Sequence, residues 1–112
     1  MTRQYNQLPQ VAFSILLALS LKERHGYEII KQVAQDSDGK LKLSPGALYT
    51  SIKQLNEQEL IEETAQEGDT RRRYYRLTKK GKATLGSEIA YYQNSVLLAR
   101  KRHVMEIEVN HA

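Results

Sequence analysis

The stretch from Ser44 to Lys82 constrains the fold of this 112-residue chain more than any other. Ser44-Pro45-Gly46 predicts a helix start, because a serine side chain accepts a hydrogen bond from the first backbone amides and proline is tolerated at the first helical position. Leu48, Ile52 and Leu55 follow at helical spacing, so we expect them to face the core. The outer face of this predicted helix is polar and consists of Tyr49, Thr50, Lys53 and Gln54.

A β-hairpin is predicted directly after this helix. Residues 60–64 alternate weakly between apolar and polar side chains, residues 67–70 have the composition of a turn, and residues 73–78 have strong strand propensity. Because side chains alternate along a strand, Tyr75 pointing into the core would leave Tyr74 on the opposite face.

Positive charge is concentrated in the same region. Seven of the seventeen lysines and arginines lie between Arg71 and Lys82, where the chain has no acid, and the other ten face thirteen acids. This segment is therefore +7 and the rest of the chain −3, which gives the net charge of +4. A concentrated charge beside an exposed hairpin tip indicates a partner with a phosphate backbone, although charge alone would favour a solvated surface.

Two further helices are predicted upstream of Ser44. The run Val11–Leu21 has only two polar residues, both serine, and a helix that is apolar on all sides is buried on all sides. Apolar residues recur at helical spacing again from Tyr27 to Ala34, and residues 36–39 have the composition that ends a helix. Residues 40–43 alternate and are expected to form a short strand. The order of helix, turn, helix and hairpin predicts a winged helix-turn-helix.

A long C-terminal helix is predicted from its cap, Thr78, to about residue 108. Its apolar residues recur at alternating four- and three-residue steps, which is typical of a coiled-coil seam. At about 1.5 Å per residue it is longer than the small domain, so we expect it to form a homodimer interface together with Val11–Leu21. The residues predicted for this interface, or for a ligand within it, are Phe13, Leu16, Leu17, Leu85, Ile89, Tyr92, Val96 and Ala99.

Features of an enzyme or a metal site are missing from the sequence. There is no cysteine for a disulfide or a thiolate ligand. Gly81-Lys82-Ala83-Thr84 lacks the upstream glycine and the hydroxyl after lysine that a phosphate-binding loop requires. His103 and Glu106 offer only two ligands for a metal. His25 precedes a glycine at a helix start and is expected to be a capping or packing residue rather than a base. Val11–Leu21 is shorter than the roughly 20 residues that span a bilayer. We therefore expect a cytoplasmic, cofactor-free protein that is not an enzyme and does not bind membranes.

Five motifs occur in a fixed order along the chain. They are His25-Gly26-Tyr27-Glu28-Ile29, Ser44-Pro45-Gly46-Ala47-Leu48-Tyr49, Leu55, Leu60-Ile61, and Arg72-Arg73-Tyr74-Tyr75-Arg76-Leu77-Thr78-Lys79-Lys80-Gly81. In this order they resemble the PadR-like winged-helix transcriptional regulators, over roughly residues 9–90. The resemblance implies a bacterial, dimeric and mostly repressive regulator. The chain length is similar to that of the small branch, which has a single long C-terminal helix.

The resemblance also implies which residues contact double-stranded DNA. It places a recognition helix at residues 45–58 and the wing at residues 62–78, with residues 1–80 as the DNA-binding domain and residues 81–112 as the dimerisation helix. In the family, the start of the recognition helix enters the major groove and the arginines of the wing meet phosphates or the minor groove. The residues expected to contact DNA are Tyr27, Ser44, Gly46, Ala47, Tyr49, Thr50, Lys53, Gln54, Arg71, Arg72, Arg73 and Tyr74.

Two hypotheses are consistent with these features. The first is a homodimeric repressor on a pseudo-palindromic operator, released by a small hydrophobic or aromatic compound between the subunits. The chain has no tryptophan to bind such a compound, which leaves Phe13, Tyr91 and Tyr92 as the aromatic candidates. The second is a winged-helix dimer that acts as a protein- or ligand-interaction module without specific DNA binding. The apolar C-terminal seam supports the second hypothesis, and the +7 segment opposes it.

Overall fold

Four helices and three short strands make up the described residues. The computed structural model describes residues 7–64 and 72–104. In chain order the elements are α1 (Gln10–Leu19), β1 (Arg24–His25), α2 (Gly26–Asp36), α3 (Pro45–Glu57), β2 (Ile61–Thr64), β3 (Tyr74–Leu77) and α4 (Lys79–Lys101). The predicted fold class, mostly helical with a small β-hairpin wing and a long C-terminal helix, is confirmed.

The first three helices pack around one apolar core. Leu48, Ile52 and Leu55 of α3 are buried, as their spacing predicted. Tyr27 is 67% exposed, although it was expected to begin the apolar stripe of α2. The stripe is shifted because α2 turns Gly26 and Ile29 inward instead. The almost fully buried side chains are Ile15, Leu16, Ile29, Val33, Leu48, Leu55 and Ile61.

Side-chain caps begin α3 and α4 at the predicted positions. The Ser44 hydroxyl accepts a hydrogen bond from the backbone N–H of Ala47 at 3.1 Å. The Thr78 hydroxyl accepts one from the backbone N–H of Gly81 at 2.9 Å. After the end of α2, Gly39 has a φ of 78°, a conformation that glycine adopts without steric cost. Helices α3 and α4 therefore start where local sequence chemistry dictates.

A three-stranded antiparallel sheet carries the wing, in the order β1-β3-β2. The strands β2 and β3 form the predicted hairpin, in which Ile61 pairs with Leu77. Tyr75 is buried and Arg76 is exposed, which confirms the predicted alternation. The hairpin thus packs one face on the helices and leaves the other exposed.

The predicted strand at residues 40–43 is wrong. These residues form no strand, and the backbone N–H of Leu41 donates to the Ser37 hydroxyl at 2.9 Å instead. The free edge of β3 is taken by β1, whose Arg24 is buried and donates from Nε to the Ala18 carbonyl at 3.0 Å. This carbonyl lies in the last turn of α1, where the helix dipole favours a cation. The burial of Arg24 is therefore compensated.

The last helix ends earlier than predicted. It stops at Lys101 rather than near residue 108, and the backbone N–H of Val104 folds back to the Ala99 carbonyl at 2.9 Å. His103, between them, has a φ of 57°. Residues 105–112 lie outside the described residues. At about 1.5 Å per residue α4 is still about 34 Å long. None of the described helices has the length and apolarity that a bilayer span requires.

The start of α4 lies directly against the end of α3. A Cβ atom added to Gly81 would overlap the carbonyl oxygen of Leu60 and lie 2.8 Å from its carbonyl carbon. That same carbonyl accepts a hydrogen bond from the backbone N–H of Thr78 at 3.1 Å, and the Thr78 hydroxyl donates to the Glu59 carbonyl at 2.6 Å. Only glycine fits this contact, so Gly81 joins the C-terminal helix to the residues that follow α3.

We predict opposite effects for alanine at two glycines of α4. Gly81→Ala should lower the free energy of unfolding by about 1–3 kcal/mol, because the new methyl group meets a hydrogen-bonded backbone carbonyl. Gly86 has no neighbouring atom within 4 Å of an added Cβ, so Gly86→Ala should raise the free energy of unfolding by about 0.5–1 kcal/mol through helix propensity. Urea unfolding followed by circular dichroism measures both. Equal stability of the two variants would contradict the close contact.

Candidate nucleic-acid interface

Three separate parts of the chain meet at one polar concavity of about 520 Å³. They are the start of α2, the start of α3 and the root of the wing. We call this surface the basic concavity. Its lining residues are His25, Gly26, Tyr27, Tyr49, Arg72 and Arg73. The fold thus brings together residues that are separated by more than forty positions in the sequence.

The outer face of α3 forms one wall of this region. Tyr49 is 49% exposed, whereas its neighbour Leu48 is completely buried. The small residues Gly46 and Ala47 leave the backbone at the start of the helix accessible, and the Ser44 hydroxyl is occupied as the helix cap. The residues of this helix that were predicted to contact DNA are all exposed: Ser44, Gly46, Ala47, Tyr49, Thr50, Lys53 and Gln54.

The start of α2 forms the second wall and is held by a reciprocal cap. His25 Nδ1 accepts a hydrogen bond from the backbone N–H of Glu28 at 3.4 Å, and Glu28 Oε1 accepts one from the backbone N–H of His25 at 3.1 Å. The predicted capping role of His25 is confirmed. Tyr27 projects from the same turn, with Lys31 Nζ 5.6 Å from its ring centroid. The partial positive charge of the helix start therefore faces the concavity.

The root of the wing forms the third wall. Arg72 and Arg73 are exposed, and Arg72 Nη1 lies 3.5 Å from His25 Nε2. The rings of His25 and Tyr74 meet edge to face with their centroids 5.3 Å apart, at the point where β1 pairs with β3. Arg71 and the predicted turn at residues 67–70 lie outside the described residues. The wing is thus attached to α2 through His25.

Tyr75 lies on the core side of the wing, next to this wall. Burial raises the pKa of its phenol, and the negative charge of Glu63 and the phenol of Tyr49 raise it further, while Arg73 opposes them. The phenol is consequently neutral at physiological pH. Tyr75 packs in the core, whereas Tyr74 on the opposite face of the strand is only half-buried.

The described cations of the +7 segment do not all line the basic concavity. Arg76 lies on the outer face of the wing, where its Nε donates to Glu62 Oε2 at 2.8 Å. Lys82 lines a different concavity beside Leu85, and Lys80 lines a third beside Gln58. Among the described residues, only Arg72 and Arg73 of this segment line the basic concavity. Strand alternation and helix rotation therefore separate cations that are neighbours in the sequence.

A second, apolar groove of about 630 Å³ lies between α1 and α4. The rings of Phe13 and Tyr92 meet edge to face inside it, with centroids 5.3 Å apart, and Tyr91 packs against Tyr92 in the same manner at 5.8 Å. We call this surface the α1–α4 groove. Its lining residues are Phe13, Leu17, Ile89, Tyr92, Gln93, Val96, Leu97 and Arg100.

The groove contains five of the eight residues predicted for a dimer interface or ligand. Leu16 and Leu85 do not line it, since they are 0% and 5% exposed and pack in the core of the single chain. Ala99 is half-buried and does not line the groove. The sequence prediction omitted Gln93, Leu97 and Arg100, which the four-residue spacing after Ile89 and Val96 would have identified.

Comparison with known proteins identifies the family. The model of the "Transcriptional regulator PadR-like family" matches residues 15–87, well over half of the chain. The chain belongs to the PadR-like family. It is accordingly a DNA-binding transcriptional regulator and not an enzyme.

Two solved structures share the fold of this PadR-like protein. A PadR family transcription regulator from Clostridium difficile is 27% identical with a TM-score of 0.71, over 83% of this chain and 97% of that chain. A transcriptional regulator from Clostridium thermocellum is 26% identical with a TM-score of 0.70, over 81% of this chain and 87% of that chain. The winged-helix architecture is therefore shared over most of each protein.

Two relatives are more similar in sequence over a shorter stretch. An uncharacterised protein of Lysinibacillus sphaericus is 38% identical over 77 residues, which are 64% of this chain and 69% of that protein. The transcriptional regulator YqjI of Escherichia coli is 37% identical over 67 residues, which are 60% of this chain. The match spans only 31% of YqjI.

The cap at His25 gives a direct test of how the site is assembled. His25→Ala should lower the free energy of unfolding by about 0.5–2 kcal/mol, because an N–H at the start of α2 loses its acceptor. His25→Asn should recover most of this loss, since an asparagine side chain also caps helices. Chemical unfolding of the three proteins measures the difference. Equal destabilisation by both substitutions would show that the cap is not what His25 contributes.

Proposed function

We propose that this PadR-like regulator is a homodimeric repressor that binds a pseudo-palindromic operator through α3 and the wing. The observation that carries the proposal is the basic concavity, where the exposed start of α3, the start of α2 and two wing arginines lie side by side. A partner at this surface meets hydrogen-bonding side chains and positive charge together. In double-stranded DNA, base edges and phosphates also lie close together.

Different residues have different roles in this proposal. Tyr49, Lys53 and Gln54 project from the exposed face of α3 and contact base edges in the major groove. Arg72 and Arg73 contact phosphates or the minor groove and contribute affinity that depends on salt. The remaining proposed contacts orient the protein on the DNA backbone and are Tyr27, Ser44, Gly46, Ala47, Thr50, Arg71 and Tyr74.

The dimer is proposed to form through the α1–α4 groove. Val96 is 39% exposed and Leu97 is 53% exposed on α4, so an apolar strip is open on the single chain. Burying this strip against its copy is favourable in proportion to the apolar area removed from water. In this proposal, residues 1–80 form the DNA-binding domain and residues 81–112 form the dimerisation helix. Two copies of α3 would then occupy successive major grooves about 34 Å apart.

The same groove supports a proposed effector site between the subunits. Its volume lies in the range of about 300–1,000 Å³ that small-molecule sites occupy, and Phe13 and Tyr92 offer ring faces and edges to a flat compound. We propose a small aromatic or hydrophobic effector. Release of DNA requires that the effector bind more tightly to a dimer whose two recognition helices are wrongly spaced for the operator.

Selection of bound fragments from random DNA tests the proposed function. We expect an inverted repeat whose half-site centres are about 10–10.5 base pairs apart, because the two recognition helices are related by the dimer axis. Enrichment of no sequence, together with weak retention on heparin at moderate salt, would contradict specific DNA binding and favour an interaction module.

The wing arginines should control the salt dependence of binding. Replacing Arg72 and Arg73 with alanine should weaken binding to all DNA sequences alike and reduce the slope of log K against log salt by about two, since each phosphate contact contributes about 0.9. Fluorescence anisotropy at several salt concentrations measures the slope. Lys22→Ala with Lys101→Ala removes the same charge away from the basic concavity and should leave the slope nearly unchanged. An unaltered slope in the arginine variant would remove the wing from the mechanism.

A charge placed in the α1–α4 groove should dissociate the dimer. Val96→Asp would bury an unpaired carboxylate in the proposed interface, so we expect a monomer at micromolar concentration. Asn94→Asp adds the same charge at an exposed position of α4 that does not line the groove, and it should remain dimeric. Analytical ultracentrifugation distinguishes the two states. A dimeric Val96→Asp variant would place the interface elsewhere.

A further inference from the structure

The phenol of Tyr49 lies on the backbone of Gly26, the first residue of α2. A Cβ atom added to Gly26 would lie 2.5 Å from Tyr49 Oη, 3.1 Å from Tyr49 Cζ and 3.2 Å from Leu48 Cδ2. Real Cβ atoms do not approach other atoms to 2.5 Å, so any larger residue would displace the phenol. Gly26 therefore provides space for the phenol and not an unusual backbone conformation, since its φ is not in the left-handed region.

This contact determines the position of an exposed side chain. Leu48, the residue before Tyr49, is anchored in the core, but Tyr49 is 49% exposed and contacts the turn of α2 at its hydroxyl end. The start of α2 is itself held by the reciprocal cap between His25 and Glu28. The Tyr49 phenol thus rests against the first residue of a different helix.

The other helical glycines do not contact an exposed side chain in this way. A Cβ at Gly46 would have its nearest neighbour 4.0 Å away, and one at Gly86 would have none within 4 Å. Gly81 is more tightly restricted than Gly26, and the atoms that it meets belong to the backbone of Leu60 rather than to a side chain. Among these four glycines only Gly26 lines the basic concavity.

We propose that Gly26 is a positioning residue for DNA recognition, which lets Tyr49 lie against α2 and so sets the distance at which its phenol meets a base edge. The proposal rests on the proposed function, in which Tyr49 faces the major groove. A methyl group at residue 26 would push the phenol toward DNA and misalign it. The effect is on sequence preference more than on general affinity, because Arg72 and Arg73 keep their positions on the wing.

A double-mutant cycle tests this coupling. The variants are Gly26→Ala, Tyr49→Phe and the two combined, each measured against the DNA fragment selected by the unaltered protein and a shuffled duplex of equal length. Gly26→Ala should reduce the preference for the selected fragment about tenfold, the size of one mismatched base pair. In the Tyr49→Phe variant, Gly26→Ala should reduce the preference for the selected fragment by less than about threefold, because the atom nearest to the new methyl group is absent. Equal losses in the presence and absence of the Tyr49 hydroxyl would overturn the proposal.

A DNA-independent measurement keeps the two proposals separate. Protein labelled with 3-fluorotyrosine has one fluorine resonance for each tyrosine, and loss of a resonance in Tyr49→Phe assigns Tyr49. Gly26→Ala should shift this resonance while the others stay dispersed, and Gly86→Ala should leave it in place. An unshifted Tyr49 resonance, or a shifted resonance with full sequence preference, would overturn the role of Gly26. If the unaltered protein enriches no DNA sequence, the proposed function fails and the recognition role of Gly26 fails with it, while the resonance still decides the packing.

Discussion

The close approach of Gly81 to the carbonyl of Leu60 is the constraint on which the architecture depends. It places the first turn of α4 against the residues that follow α3, and Thr78 adds hydrogen bonds to the same carbonyl and to that of Glu59. The start of α4 is consequently fixed beside the end of α3, although the hairpin lies between the two helices in the sequence. In a dimer built on α4, any change in the angle between the two C-terminal helices would move the two recognition helices with it.

The remaining parts of the site meet at a second contact point, which consists of His25 and Gly26. His25 caps α2, pairs with Tyr74 in the sheet and lies beside Arg72, while Gly26 carries the phenol of Tyr49. Two consecutive residues therefore connect the wing, the second helix and the recognition helix. This explains how a domain with short strands can hold three separate elements in one orientation toward a partner. Rigid placement matters here because readout of base edges requires well-defined geometry.

The sequence predicted those features that depend on local chemistry. The spacing of Leu48, Ile52 and Leu55, and the caps at Ser44 and Thr78, are properties of neighbouring residues, and the structure confirms them. It did not predict β1, because a strand of two residues has no periodicity, and the pairing that creates it comes from a distant segment. The exposure of Tyr27, the burial of Leu16 and Leu85 in the core, and the separation of Arg72 from Lys82 also escaped prediction, since they depend on how a helix or strand is rotated against the rest of the fold.

We propose that α3 and the wing of each subunit face the same DNA, with the α1–α4 groove relating the two subunits. Hydroxyl-radical footprinting of the complex on a selected fragment tests this most directly. We expect two equivalent protected regions whose centres are about 34 Å apart on one side of the duplex. A single protected region, or two regions on opposite sides of the duplex, would contradict it.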